Sequence, residues 1–596
     1  MTRKCLFHVW APNCRSVSLQ LAGQSKQMAE SGGGWWEVSV AVEPGAEYAF
    51  VPDGGPPVPD PRSHWQPHGV HGLSRVVDHA AFPWTDAGWC ASPLSSAILY
   101  ELHIGTFTPE GTFDSAIERL GHLVDLGVTH VELMPVAEFP GAWGWGYDGV
   151  DLYAPHHGYG GPDGLKRFVD ACHQHRLAVI LDVVYNHLGP TGNYLERFGP
   201  YFTRRHATPW GPAMNLDGAG SDQVRRFLCD NALHWLREYH IDGLRIDAVH
   251  ALFDNSAVHF LEQLAREVRL LEAQLGRHLI TIAESDLNNP RLVRVPEVGG
   301  YGLDAQWNDD FHHALHTVLT GERNGYYTDF GSLAQLAKSL SKAFVYDGCY
   351  SRFRGCRHGR PVEGLSGHRF VAFLQNHDQI GNRARGERIG HLTTRGRLFI
   401  GATLLLTSPF VPLLFQGEEW GASSPFQYFT SHEDAELARA VSEGRRNEFI
   451  AFGWPPDSVP DPQDPQTFER SKLLWEEIGE ADHAELFDWY RKLIRLRRQY
   501  PELTDGCFPN VRVSFDEREN WLEVRRGRIT VLCNFGNWRR RDLKADSEIL
   551  LASAHGAHFS GRELTLPPDS VAILFENKKE QARPDRPASV EQLAIS

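Results

Sequence analysis

The chain of 596 residues has no long run of Lys or Arg, and its 59 basic residues are outnumbered by 75 acidic ones, for a formal net charge of −16. Nothing in it offers a polyanion an electrostatic footprint, so nucleic acid is excluded as an expected partner. No apolar stretch reaches membrane-spanning length: the longest, such as LLLTSPFVPLLF (404–415), are broken by Ser and Pro. The opening segment MTRKCLFHVWAPN has no apolar core of signal length. Nine cysteines are scattered without one C-x-x-C pair, so neither a disulfide framework nor a zinc cluster is indicated. These absences predict a soluble protein in a reducing, cytoplasmic setting, with no membrane partner. Aromatic residues are abundant instead, with 17 Trp, 17 Tyr and 32 Phe. Large cores use them, and so do sugar-binding clefts, where flat rings meet the apolar faces of pyranoses.

The first 90 residues read as a β-sandwich, the kind of small module that binds carbohydrate. In SVSLQLAG (16–23) and WEVSVAV (36–42) apolar residues alternate with polar ones, and SGGG and PDGGPPVPDP break the strands apart. From 91 to 505 the texture changes. Short apolar runs are separated by amphipathic helical stretches such as DSAIERLGHLVDLG (114–127) and FLEQLAREVRLLEAQL (260–275). Eight such runs, ILYELHIG, VTHVELMPV, LAVILDVVYN, GLRIDAV, LITIAES, LDAQW, FVAFLQNHD and VPLLFQGEE, predict an α/β fold with a central (β/α)8 barrel. A Gly/Pro-rich excursion (187–220) follows the third run. Alternation by twos returns in a C-terminal β-domain (506–576), and the polar tail 577–596 is expected to be disordered.

Four of the predicted strands end in ionisable residues: Asp182 and His187, Arg245 and Asp247, Glu284, and His377 with Asp378. A carboxylate at the end of a buried strand is costly unless it is paired or functional. One alone is more often a cap or an ion-pair partner. In a barrel, however, the C-terminal strand ends share one face, so these acids converge on a single cleft. Neighbouring carboxylates in different surroundings titrate apart, which lets one act as an acid while another stays ionised.

DVVYNH (182–187), GLRIDAVH (243–250), IAES (282–285) and QNHD (375–378) resemble, in order, the four signature regions of the α-amylase superfamily of glycoside hydrolases. The resemblance implies Asp247 as nucleophile, Glu284 as general acid/base and Asp378 as the third carboxylate steadying an oxocarbenium-like transition state. It implies that Arg245 orients the nucleophile and that Asp182 shapes the site from behind. His187 and His377 would hold sugar hydroxyls, and Tyr147 in WGYDG would stack under the sugar at the cleaved bond. It also implies retention of configuration by double displacement. No cofactor and no structural metal are expected. Asp217 in AMNLDG could serve as a calcium ligand, but no dense cluster of oxygen ligands accompanies it. His103, His156 and His157 read as satisfied core or surface residues, and Cys172 and Cys229 as core.

Further segments narrow the resemblance. GTFTPEGTF (105–113), PAMNLDG (212–218), Gln379 directly after Asp378, and RRNEFIAFGW (445–454) are similar to the members that cut the α-1,4 bond beside the terminal trehalose of maltooligosyl trehalose. The implied substrates are maltooligosyl trehalose and related α-1,4-glucans. His250, Asp286 and Gln379, with Asn382 nearby, are then the candidates for the leaving-group side. A glycogen-branching or isoamylase-type debranching enzyme is the alternative, since the reacting carboxylates are common to all. A non-catalytic glucan-binding protein is disfavoured, because all three carboxylates are present.

Overall fold

The computed structural model describes residues 3–450, 454–455, 458–542, 547–560 and 563–577. Eight parallel strands close into a barrel: β1 Leu99–Leu102, β2 His130–Leu133, β3 Ala178–Val183, β4 Gly243–Ile246, β5 Ile280–Ala283, β6 Ala305–Trp307, β7 Phe370–Phe373 and β8 Val411–Phe415. Each of the eight expected runs supplies one strand. Every residue of β1 to β5 is buried, which is why these strands read as continuous rather than alternating apolar runs.

The barrel interior is layered. Leu99, Ile180, Ile280 and Ile282 belong to an apolar cluster with Trp307, Val371, Phe373, Val411 and Leu413. Two residues further along a strand lies on the same face, and there the chain places Glu101 after Leu99, Asp182 after Ile180 and Arg245 after Gly243. An apolar floor thus gives way to an ionisable layer toward the C-terminal strand ends. The parallel register pairs Asp182 with Arg245, setting anion beside cation.

Around the barrel the predicted helix at 260–275 is found as Phe260–Leu275. The stretch 114–127 is instead divided into Phe113–Ile117 and Leu120–Leu126. Thr112 and Ser115 form a capping box on the first piece, and Gly127, at φ 100°, closes the second. The excursion after β3 is more regular than its composition suggested, with an antiparallel hairpin, Phe202–Thr208 with Gly211–Met214. A second unforeseen hairpin, Asp347–Ser351 with Cys356–Gly359, stands between β6 and β7.

Before the barrel, antiparallel sheets of three and four strands pack together through Phe7, Val9, Val17, Leu19 and Phe50. After it come sheets of five and three strands between Val511 and Glu576. Two buried arginines tie this last region to the barrel. Arg497, on the helix Ala481–Gln499, donates to the carbonyls of Leu406, Ser408 and Phe410 at 2.6–2.9 Å. Arg526, on the strand Trp521–Arg526, donates to those of Thr407, Ser408 and Leu503 at 2.8–2.9 Å. The helix Arg395–Leu406 therefore ends on guanidinium donors. Residues 578–596, most of the tail expected to be disordered, lie outside the described residues, as do 451–453 of the RRNEFIAFGW segment. Among the described residues no helix is long and apolar enough to cross a membrane.

Candidate active site

At the C-terminal strand ends Tyr147, Asp182, Arg245, Asp247 and His377 form one hydrogen-bonded network, with Glu284 and Asp378 beside it. Arg245, fully buried on β4, is its centre. Its Nη1 donates to both oxygens of Asp182, at 2.8 and 2.6 Å, and to Oδ1 of Asp247 at 2.9 Å. The guanidinium lies over the indole of Trp307, 4.2 Å from the ring centroid. Asn186 donates to the other oxygen of Asp247 at 2.8 Å. Both oxygens of Asp247 thus face donors, which suits a carboxylate anion.

Glu284 has the opposite surroundings. Its nearest cationic atom is Nη2 of Arg245, 3.9 Å away. Burial, followed by the charges of Asp247, Asp378 and Asp309, holds its pKa well above the usual carboxylate range, with Arg245 only partly opposing. The backbone N–H of Ala248 donates to Oε2 at 2.5 Å. Ala248 takes the left-handed conformation, φ 38°, ψ 52°, rare for a residue with a Cβ. This turn follows Asp247 directly and points the N–H of Ala248 toward β5.

Tyr147 links the second strand to the third and seventh. Its hydroxyl donates to Asp182 at 2.7 Å and accepts from Nε2 of His377 at 2.7 Å. The two rings stack, 5.2 Å between centroids. Gly146 makes this possible: at φ 96°, a Cβ there would sit 2.2 Å from the Pro135 carbonyl. Gly381 plays a similar part behind Asp378, where a Cβ would meet the Trp145 ring at 2.1 Å. The other nitrogen of His377 lies 2.5 Å from Glu101, which also accepts from the His377 backbone N–H at 3.0 Å. Burial opposes charge on His377, but Glu101 and Asp378 outweigh it and hold the imidazole up to about 9. Asp378 itself is partly exposed to the cleft and accepts from Asn382 at 3.2 Å. His187 lies 3.1 Å from the Tyr147 carbonyl and stacks on Trp210, whose ring is half exposed. Burial pushes its pKa down. Burial and Asp247 raise Asp182 to about 6 despite Arg245.

The candidates for the leaving-group side are held by separate partners. Asp286 pairs with Arg354, from the hairpin between β6 and β7, at 2.9 Å, and lies 3.9 Å from His250. Gln379 receives the Tyr326 hydroxyl at 3.4 Å. Asn382 is drawn toward Arg445, 3.1 Å away.

Several residues at this site were not singled out from the sequence. Glu101 and Glu132 sit mid-strand in the barrel wall, and a Glu inside an apolar run was the available signal. Both oxygens of Glu132 are buried without a partner among the described residues, and burial with the charge of Glu101 pushes its pKa well above the usual carboxylate range. Asp309 opens the helix Asp309–Thr320 after β6. Burial, then the charges of Asp286, Asp378 and Asp310, raise it to about 7.

His103 is satisfied by Thr106 and the Gly144 carbonyl, and Cys172 and Cys229 are buried. Asp217 binds Arg205 and Asn255. Among the described residues two groups have donor atoms within 4.8 Å of one another, as a cation site requires: His64, His79 and His234, and Glu138, His156 and His157. Glu138 already accepts from His157 at 2.8 Å and lies 3.2 Å from His156. Neither group includes Asp247, Glu284 or Asp378.

Residues 80–205 match the family model for the alpha amylase catalytic domain. The malto-oligosyltrehalose trehalohydrolase of Mycobacterium tuberculosis is 52% identical over 89% of this chain and 92% of its own length. That of Saccharolobus solfataricus is 45% identical over 87% of this chain and 89% of its own. The 1,4-alpha-glucan branching enzyme of Vibrio parahaemolyticus is 32% identical over only 52% of this chain. Among solved structures, a candidate alpha amylase from Salmonella typhimurium superposes with a TM-score of 0.88 at 40% identity, over 96% of this chain and 97% of its own.

Proposed function

The chain belongs to the malto-oligosyltrehalose trehalohydrolases of the α-amylase family, and on that premise we propose how its residues carry out the reaction. The enzyme hydrolyses the α-1,4 bond between a maltooligosaccharide and its terminal trehalose. We assign Asp247 as nucleophile and Glu284 as general acid/base. The observation that carries this is the contrast between them: Asp247 is held by Arg245 and Asn186, while Glu284 lies among like charges that hold its pKa well above the usual carboxylate range.

Asp247 attacks the anomeric carbon of the maltooligosyl unit as Glu284 gives its proton to the glycosidic oxygen. The C–O bond breaks, trehalose departs, and a glycosyl ester remains on Asp247. Glu284, now a carboxylate, takes a proton from water, and the resulting hydroxide attacks the same carbon and frees Asp247. Asp378 steadies the positive charge that develops on the ring. His377, charged at neutral pH, and His187 hold the hydroxyls of the attacked sugar. Tyr147 lies beneath it, bridging Asp182 and His377. Asp286, His250 and Gln379 line the leaving-group side.

The division of the chain we propose is 1–90, 91–505 and 506–576, with the chemistry wholly in the second. The nine cysteines, all free thiols, support a reducing, cytoplasmic setting. Incubation with maltotriosyl trehalose tests the reading: trehalose and maltotriose are expected as products. Branching of amylose without release of trehalose would overturn it.

A further inference from the structure

We propose that Asp309 is a specificity-determining residue of this site, accepting hydroxyl hydrogen bonds from the trehalose unit on the leaving-group side. The inference rests on the reading above and extends it to a residue that neither the sequence motifs nor the reaction called for.

Asp309 is the first residue of the helix that follows β6, so it stands at the same barrel face as Glu284, which follows β5, and Asp378, which follows β7. Its charge acts on Glu284 and on Tyr326, and those of Asp286 and Asp378 act on it. It is therefore grouped with the proton donor and the leaving-side candidates.

What distinguishes Asp309 from its neighbours is that it is uncommitted. Asp286 is held by Arg354, Gln379 receives Tyr326, and Asp310, next in the chain, accepts from Asn288 and from the backbone N–H groups of Val345 and Tyr346. No hydrogen-bond partner is found for the Asp309 carboxyl among the described residues, yet it is not sealed off, the residue being only partly buried. A carboxyl that is only partly buried and has no donor among the described residues keeps its lone pairs open to a ligand with hydroxyl donors. A carboxylate takes two neighbouring hydroxyls at once, which is what a pyranose offers. The helix start favours a negative charge there, but by an amount that any acid in the first turn would supply, and that does not explain a carboxyl left without a donor.

The test uses the full-length enzyme and the substitutions Asp309→Asn and Asp309→Ser. Three quantities are measured: KM and kcat on maltotriosyl trehalose, kcat/KM on maltopentaose, and the inhibition constant of free trehalose. Loss of a buried hydrogen-bonding group in a polar subsite is expected to raise KM for maltotriosyl trehalose and the trehalose inhibition constant together, by roughly 10-fold or more. Measured below the alkaline limb set by Glu284, where loss of the Asp309 charge does not change its protonation, cleavage of maltopentaose is expected to change by less than about 3-fold, the size of effects outside a specific contact. Melting temperatures of both variants separate a folding defect from a binding one. If both substrates weaken equally, or trehalose inhibits both variants as it does the wild type, the inference fails while the assigned reaction stands. If the wild-type enzyme releases no trehalose, the underlying reading itself falls.

Discussion

The backbone N–H of Ala248 donates to the carboxyl of Glu284 across the gap between β4 and β5, and it does so from a left-handed conformation. The residue after the proposed nucleophile thereby fixes the proposed acid. The conformation has a cost, because a Cβ in this region is disfavoured by about 1–2 kcal/mol. Glycine would remove that cost but add about 0.4–1 kcal/mol of unfolded-state entropy. Ala248→Gly is therefore expected to be more stable by about 0.5–1 kcal/mol, with turnover preserved because the N–H remains. Thermal melting checks this, and a lower melting temperature would refute it.

Replacing Asp247 with Asn, or Glu284 with Gln, keeps side-chain volume and removes the reacting group. Each is expected to lower kcat on maltotriosyl trehalose at least ~1000-fold. Either variant retaining a tenth of wild-type turnover would remove that residue from its role.

The acid must be protonated to act, so activity is expected to fall as pH rises through the pKa of Glu284. Burial and the surrounding carboxylates hold that pKa well above the usual range, so the alkaline limb of kcat/KM against pH should lie well above 4.5. A limb at the ordinary carboxylate position would show that Glu284 is not the group titrating.

The pair Glu101–His377 makes stability depend on pH. The folded pKa of His377, about 9, exceeds the ordinary 6.5. Its contribution is therefore fully present below about 6.5 and is lost as pH rises through about 9, amounting to roughly 3 kcal/mol in all. Glu101→Gln should melt well below the wild type at pH 6, with the gap narrowing by pH 9.5. A gap that stays constant would contradict the pairing.

The barrel was legible because its strands are buried on both faces and so stand out as unbroken apolar runs. The proposed reacting groups could be picked out because they terminate those runs. The hairpins at 202–214 and 347–359 were not. They are short and largely exposed, and their periodicity is lost among Gly, Pro and charged residues. Asp309 escaped notice for a different reason: it directly follows Asn308, which caps the helix by accepting from Phe311, and an acid in a first helical turn is commonplace. Glu101 and Glu132 were absorbed into the apolar runs around them, since a strand pattern does not say that one interior layer of a barrel is polar. The division of 114–127 lies in Arg119, whose φ of −101° and ψ of −3° interrupt an otherwise helical sequence.

The arginines at the far end of the molecule bear on how the chain can be shortened. Arg497 and Arg526 supply the donors on which the carbonyls from Leu406 to Phe410 close, and these immediately precede the eighth barrel strand. Cutting before residue 505 would take Arg526 away and leave carbonyls facing a void. A protease that removed the last sheets would thus unseat the closing strand of the ring. The C-terminal region behaves as a keystone, and fragments that stop at the end of the barrel sequence should not persist as folded enzymes.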